Sequence, residues 1–265
     1  AAGTSLLRSL NLIELVPASE LLYFQADDGV SGKEPWVSDG TPQGTRLLKD
    51  INPGPNWSEP GNFAPVNGEL WFDAFEPSTG YEIWRTDGTE AGTILFADNP
   101  DGDGAGAEFT DINGTVFFRS TRSEAGNELW KSDGTLGGTV LVKDIRPGPA
   151  HSTPQFLIAA NGKLYFEADD GVHGGELWVS DGTEEGTVLA CDCNPGSGGG
   201  FYWDPTVING ILFYTGTDGT GTELWAVDTR PAKIPTASGI GLLIFGFLLC
   251  GVGVVVIMRR SEYGT

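Results

Sequence analysis

Histidine, cysteine and methionine are nearly missing from this chain of 265 residues, which has two, three and one of them. With only His151 and His173, and no motif that sets a nucleophile beside either, the residues give little support to nucleophile–base catalysis. Three cysteines are too few for a disulfide-built scaffold. Basic residues are sparse too: 15 Lys and Arg face 36 Asp and Glu, for a net charge of −21. A chain this acidic is repelled by phosphate backbones, which excludes nucleic acid as a partner and favours cations or a basic protein surface. Helical periodicity is absent before residue 235.

What is present is repetition. Glu34-Pro35-Trp36-Val37-Ser38-Asp39-Gly40-Thr41 returns as Glu82 to Thr89, Glu128 to Thr135 and Glu176 to Thr183, and a clipped copy runs from Glu223 to Asp228. The tryptophans 36, 84, 130, 178 and 225 stand 46 to 48 residues apart. That period is the length of a propeller blade of four antiparallel strands. In the fourth copy, 155–159, 163–168, 176–180 and 187–192 read as the strands. Asn161-Gly162 supplies the first turn, because a type I′ hairpin needs two residues with positive φ. Asn67, Asn113 and Asn209 repeat that turn in phase. The repeated Trp is expected to pack between neighbouring blades and the repeated Asp to bond N–H groups of its own turn.

The last copy stops after its third strand. Thr4-Ser5-Leu6-Leu7-Arg8-Ser9-Leu10-Asn11 lines up with Thr45 to Asn52, the fourth strand and exit of the first copy. The expected fold is therefore all-β: a five-bladed β-propeller of twenty strands closed by the N-terminal strand, plus one C-terminal transmembrane α-helix. The blades are expected at 12–52, 62–98, 107–145, 155–193 and 203–228 plus 4–11, inside an extracytoplasmic domain 1–230.

The phrase Glu-Leu-Trp-x-Ser-Asp-Gly-Thr-x-x-Gly-Thr, extended by Leu141-Val142-Lys143-Asp144-Ile145-Arg146-Pro147-Gly148, resembles the ELWxxDGT repeat family of bacterial secreted and surface proteins. The resemblance covers nearly all of 1–230. It implies a propeller-like extracytoplasmic module, and it brings no family-wide reaction or catalytic residue.

Beyond a linker, 231–238, the run 239–258 is twenty residues without a charge, long enough to cross a hydrocarbon core as a helix. Arg259-Arg260 follow at once and place the tail 259–265 in the cytoplasm. The first residue is Ala1, so the chain reads as a mature form whose secretion signal has been removed. Ile234-Pro235-Thr236 before the apolar run resembles the IPTL-type sorting signals of Gram-negative bacteria, although Ala-Ser-Gly-Ile-Gly replaces their usual continuation. Gly239, Gly246, Cys250 and Gly253 form a stripe of small residues against which another membrane helix would pack.

Three further features are candidate sites. Asn99-Pro100-Asp101-Gly102-Asp103-Gly104 opens like a calcium loop, but position twelve is Thr110 rather than Glu. Asn99, Asp101 and Asp103 would then need Glu108 or Asp111 to hold Ca²⁺, the one cofactor the sequence suggests. Trp57, Phe201, Tyr202 and Trp203 lie in connections where the copies differ most, and are expected to be partner contacts. Cys191 and Cys193 read as structural thiols, with Cys193 in the core; a local disulfide and a metal site are the alternatives.

The expected function is non-catalytic: a single-pass, periplasmic accessory subunit of a larger membrane complex. It would contact membrane lipid and other membrane-protein subunits, and a respiratory or photosynthetic assembly would be compatible. A surface adhesion or carbohydrate-binding module is the second reading, and a glycosidase-like propeller enzyme the third.

Overall fold

The computed structural model describes residues 10–97 and 107–231. They form nineteen strands in five antiparallel sheets. The first sheet is β1 (Asn11–Ala18), β2 (Leu21–Asp27), β3 (Lys33–Ser38) and β4 (Arg46–Leu47). The second is β5 (Gly61–Val66), β6 (Glu69–Glu76), β7 (Gly80–Thr86) and β8 (Ile94–Ala97). The third holds β9 (Ala107–Ile112), β10 (Thr115–Arg122), β11 (Gly126–Ser132) and β12 (Val140–Lys143). The fourth holds β13 (Gln155–Ala160), β14 (Lys163–Asp169), β15 (Gly175–Ser180) and β16 (Val188–Cys191). The last has three strands, β17 (Phe201–Ile208), β18 (Ile211–Thr217) and β19 (Thr222–Asp228). The first strands follow one another: β1 lies beside β5, β5 beside β9, β9 beside β13 and β13 beside β17.

Local chemistry sets each sheet. The Asn-Gly turns have positive φ at both residues: Asn67 50° and Gly68 83°, Asn161 48° and Gly162 77°. That is the hairpin geometry expected of the dipeptide. Ser19 and Glu20 adopt the same geometry without a glycine. At the other hairpin, Asp39 accepts from the Thr41 N–H (2.9 Å) and hydroxyl (2.7 Å), and Ser38 Oγ meets Thr45 Oγ1 at 2.7 Å. Asp87, Asp133 and Asp181 repeat the Asp–Thr bonds. A β-carbon on Gly44, Gly92, Gly138 or Gly186 would overlap that carboxylate, so the second glycine of the phrase is a steric requirement.

The tryptophans pack backwards. Trp84 of the second sheet joins Tyr23, Val37, Leu48 and Ile51 of the first in one buried cluster. Trp178 joins Phe117, Leu129 and Ile145 of the third sheet, and Trp225 joins Tyr165, Leu177 and Cys193 of the fourth. Burying one such side chain contributes roughly 2–3 kcal/mol, so each interface rests on its aromatic anchor.

Several expectations fall elsewhere. Residues 4–9, the run 239–258 with Gly239, Gly246, Cys250 and Gly253, and the tail 259–265 lie outside the described residues. Among the described residues no helix is long and apolar enough to cross a membrane. Cys191 and Cys193 are not free thiols: they form a disulfide, their Cα atoms 5.2 Å apart, a separation that such a bond spans. Cys193 is also buried, so the core placement and the disulfide hold together.

Candidate functional site

The repeated glutamate shapes the loop end of the molecule. Glu34, the second residue of β3, has a fully buried side chain and accepts from Ile51 N (2.9 Å), Asn52 N (3.3 Å), Ser58 N (3.1 Å) and Ser58 Oγ (2.6 Å). These donors belong to the connection leading into the second sheet. Glu128 holds Ile145, Arg146 and Ser152 in the same way. Glu176 holds Cys193 and Asn194, while Gly200 replaces the serine and brings no hydroxyl. Burial pushes the Glu34 and Glu128 carboxyls up to about 7, against the pull of their donors. The sequence signal for this staple was present: the glutamate recurs two residues before every repeated tryptophan.

Held by Glu34, the loop 52–59 places Trp57 against the β6–β7 hairpin. Asn52 Nδ2 donates to Trp57 O (2.9 Å), and Asn56 Nδ2 to Pro53 O (3.3 Å). Trp57 is 49% exposed, and Lys33 Nζ lies 4.3 Å from its ring centroid. Opposite stand Phe75 and Tyr81, paired across the hairpin with rings edge-to-face at 5.5 Å. The Tyr81 hydroxyl donates to Glu59 Oε2 (2.9 Å), and Glu59 Oε1 lies 3.8 Å from Lys33 Nζ. Together they line an open cleft of about 510 Å³.

A second array runs along the successive first strands. Each described first strand carries a bulge, where Glu14, Asn62, Glu108 and Phe156 have φ of 54° to 62°. Glu14 accepts from Phe63 N (3.2 Å) and Glu108 from Leu157 N (3.1 Å), so each carboxylate ties its strand to the next. Asp73, on β6, is buried and accepts from Asn62 Nδ2 (2.6 Å). Burial first, then the charge of Glu14, pushes Asp73 up to about 7. Burial, Glu108, Glu176 and Asp169 do the same to Glu167. These carboxyls take up or release a proton near neutrality. Both acids interrupt apolar strands, Trp71-Phe72-Asp73-Ala74-Phe75 and Tyr165-Phe166-Glu167-Ala168, the signal by which a sequence reading would find them.

The candidate residues separate on this geometry. Trp57 is half-exposed at a cleft. Phe201 is a correction: it is buried in the core, stacked on Tyr214 at 4.9 Å, because it opens β17 facing the fourth sheet. Tyr202 and Trp203 fall in β17, and their side chains lie outside the described ones. Of the calcium quartet, Asn99, Asp101 and Asp103 lie outside the described residues, and Glu108 is bonded to Leu157. Among the described residues no three His, Cys, Asp or Glu side chains are grouped to hold a metal ion. His151 Nδ1 accepts from Asn127 N (2.8 Å), and His173 pairs with Asp170 at 2.7 Å.

The fold is similar to that of two solved hydrolases. A puromycin hydrolase mutant complexed with PGG matches 83% of this chain and 36% of its own, with 15% identity and a TM-score of 0.58. Prolyl oligopeptidase B from Galerina marginata, bound to a 35mer hydrolysis and macrocyclization substrate, matches 83% of this chain and 35% of its own, with 10% identity and a TM-score of 0.53. This chain thus spans little more than a third of either. No family model and no curated protein matches the chain. At these identities the likeness shows the fold, which is all-β and propeller-like. The expected role as a non-catalytic accessory subunit of a membrane complex is corrected by it: both of these solved neighbours are hydrolases, and nothing in the likeness points to such a subunit.

Proposed function

We propose that this chain is the propeller-like portion of a hydrolase-type protein, in which it receives and holds substrate for a hydrolytic centre. One observation carries the reading: the likeness covers 83% of this chain yet only 36% and 35% of two hydrolases. The carboxyls of Asp73 and Glu167 add groups that hold a proton near neutral pH. The test is to capture the protein from its native source and assay the preparation, beside the purified chain, on peptide, ester and glycoside panels. Hydrolysis by the native preparation, with binding but no turnover by the purified chain, is expected. Neither binding nor hydrolysis in either sample overturns the reading. Turnover by the purified chain that Asp73→Asn abolishes moves the chemistry onto these carboxyls.

The finer architecture belongs to the same proposal. The segment ahead of β1, read from the sequence as 4–11, would complete the last sheet along β19, whose Leu224 is 73% exposed, and so close a ring of five blades. Removing residues 1–9 would then lower the melting temperature sharply; an unchanged value rejects closure. The run 239–258 tethers the ring to a membrane with Arg259-Arg260 on the cytoplasmic side. Protease protection in spheroplasts that shields the propeller-like unit rejects that orientation. Membership of the ELWxxDGT repeat family stands on the repeated phrase.

A further inference from the structure

We propose that the cleft between Trp57 and the Phe75–Tyr81 pair binds proline-rich basic peptide segments in the polyproline II conformation. The inference goes beyond the hydrolase reading and does not rest on it. It begins with what sets this cleft apart from its counterparts. At the position of Trp57, the connection leaving the third sheet has His151 and the one leaving the fourth has Gly199. The cross-strand pair Phe75–Tyr81 corresponds to Thr121–Asn127, Asp169–Gly175 and Thr217–Thr222. Among these counterpart positions only this one brings three aromatic side chains together, and Trp57 is half-exposed. A β-carbon on Gly32 would overlap the Asn56 carbonyl and crowd the Trp57 ring, so the loop lies directly on that glycine. The site is formed before any ligand arrives, which lowers the ordering cost of binding.

The polar groups decide the ligand. Asn52 Nδ2 is spent on Trp57 O and Asn56 Nδ2 on Pro53 O, while Glu59, beside Lys33 and bonded to the Tyr81 hydroxyl, keeps its side chain 44% exposed. A saccharide needs such groups unspent to meet its hydroxyls. A proline ring has no N–H to satisfy and packs by shape on aromatic faces. A polyproline II segment also arrives already extended, so little entropy is lost when it docks. The exposed Glu59 carboxylate, on a chain of net charge −21, supplies charge complementarity to a basic residue between the prolines.

The test titrates the full chain with the synthetic peptide Pro-Pro-Arg-Pro-Pro-Arg-Pro-Pro-Pro, followed by calorimetry and by tryptophan fluorescence. A second peptide has alanine in place of every proline. Saturable binding of the first peptide and not the second is expected. Trp57→Ala should weaken it about tenfold or more. Glu59→Gln or about 0.5 M salt should weaken it severalfold. His151→Ala should leave it unchanged. Because Trp57 is exposed, its variant should keep the parent melting temperature; Phe75→Thr, the residue of the third sheet, provides a second variant. No saturable binding up to about millimolar peptide, equal binding of the alanine peptide, or binding that survives Trp57→Ala overturns the proposal. So does Trp57-dependent binding of an oligosaccharide without binding of the peptide.

Discussion

The connections that leave the first and third sheets share one frame and end in different side chains. In both, a buried glutamate takes two backbone N–H groups at the start of the connection and a serine at its end: Glu34 with Ile51, Asn52 and Ser58, and Glu128 with Ile145, Arg146 and Ser152. Ser58 N and Ser152 N also donate to Lys33 O and Asn127 O, at 3.0 and 3.1 Å. One residue before the serine the two diverge. Trp57 stands over a cleft, while His151 turns its Nδ1 back to Asn127 N. The frame fixes the backbone so firmly that the residue at the tip is free to change. Function is therefore to be sought in the tips and stability in the frame.

The largest effect should come from breaking the frame. Glu34→Ala or Glu128→Ala leaves two buried backbone N–H groups without their acceptor, and the serine with its bonds to Lys33 O or Asn127 O alone, at a cost of roughly 3–5 kcal/mol. For a domain of this size that lowers the melting temperature by about 6–15 °C. Glu176→Ala, with two such bonds, should cost less, and thermal unfolding of the three variants ranks them. Equal losses would show that the hydroxyl bond adds nothing.

Next come two adjacent glycines in the third sheet's turn. Gly138→Ala drives a β-carbon into the Asp133 carboxylate, while a β-carbon on Gly137 meets nothing within 4 Å. The first should cost about 1–3 kcal/mol and the second under about 0.5 kcal/mol. Urea denaturation of both tests whether the second glycine of the phrase is steric.

The frame also makes stability depend on pH. Glu34, Glu128, Asp73 and Glu167 are each pushed up to about 7, above an unfolded value near 4. Between those values the folded chain holds more protons than the unfolded one, so stability falls as pH rises. The melting temperature should be several degrees higher at pH 5 than at pH 8, and Asp73→Asn should reduce that difference.

The smallest effects lie at the tips and at the disulfide. Trp57→Ala should leave stability within about 0.5 kcal/mol of the parent. Reducing Cys191–Cys193, which closes a loop of a few residues, should cost well under the ~3 kcal/mol of a fifteen-residue loop. Differential scanning calorimetry resolves both.

Much of the frame was legible in the residues. The 46–48 residue period placed the sheets within a few positions, because Trp, Asn-Gly and Asp-Gly-Thr each act through local geometry or a neighbour one repeat away. The cleft was half legible. Trp57 stood out as an aromatic in a variable loop, but Phe75 and Tyr81 read as ordinary strand residues until the hairpin brought them opposite it. Phe201 misled for the converse reason: a Gly-rich run before it looked like a loop, yet β17 begins at Phe201 and turns it inward. Asp73 and Glu167 showed as acids inside apolar strands, but the sequence does not tell that burial and the neighbouring carboxylates Glu14 and Glu108 surround them.

The backward packing of the tryptophans gives the chain an order of assembly. Trp84, Trp178 and Trp225 each settle on a sheet made earlier in synthesis, as Trp130 does on the cluster of Trp71 and Phe96. A ribosome releasing this protein thus delivers each aromatic anchor to a surface already waiting for it, and every new sheet is covered soon after it emerges. Trp36 packs instead with Phe24 and Ala26 of its own sheet.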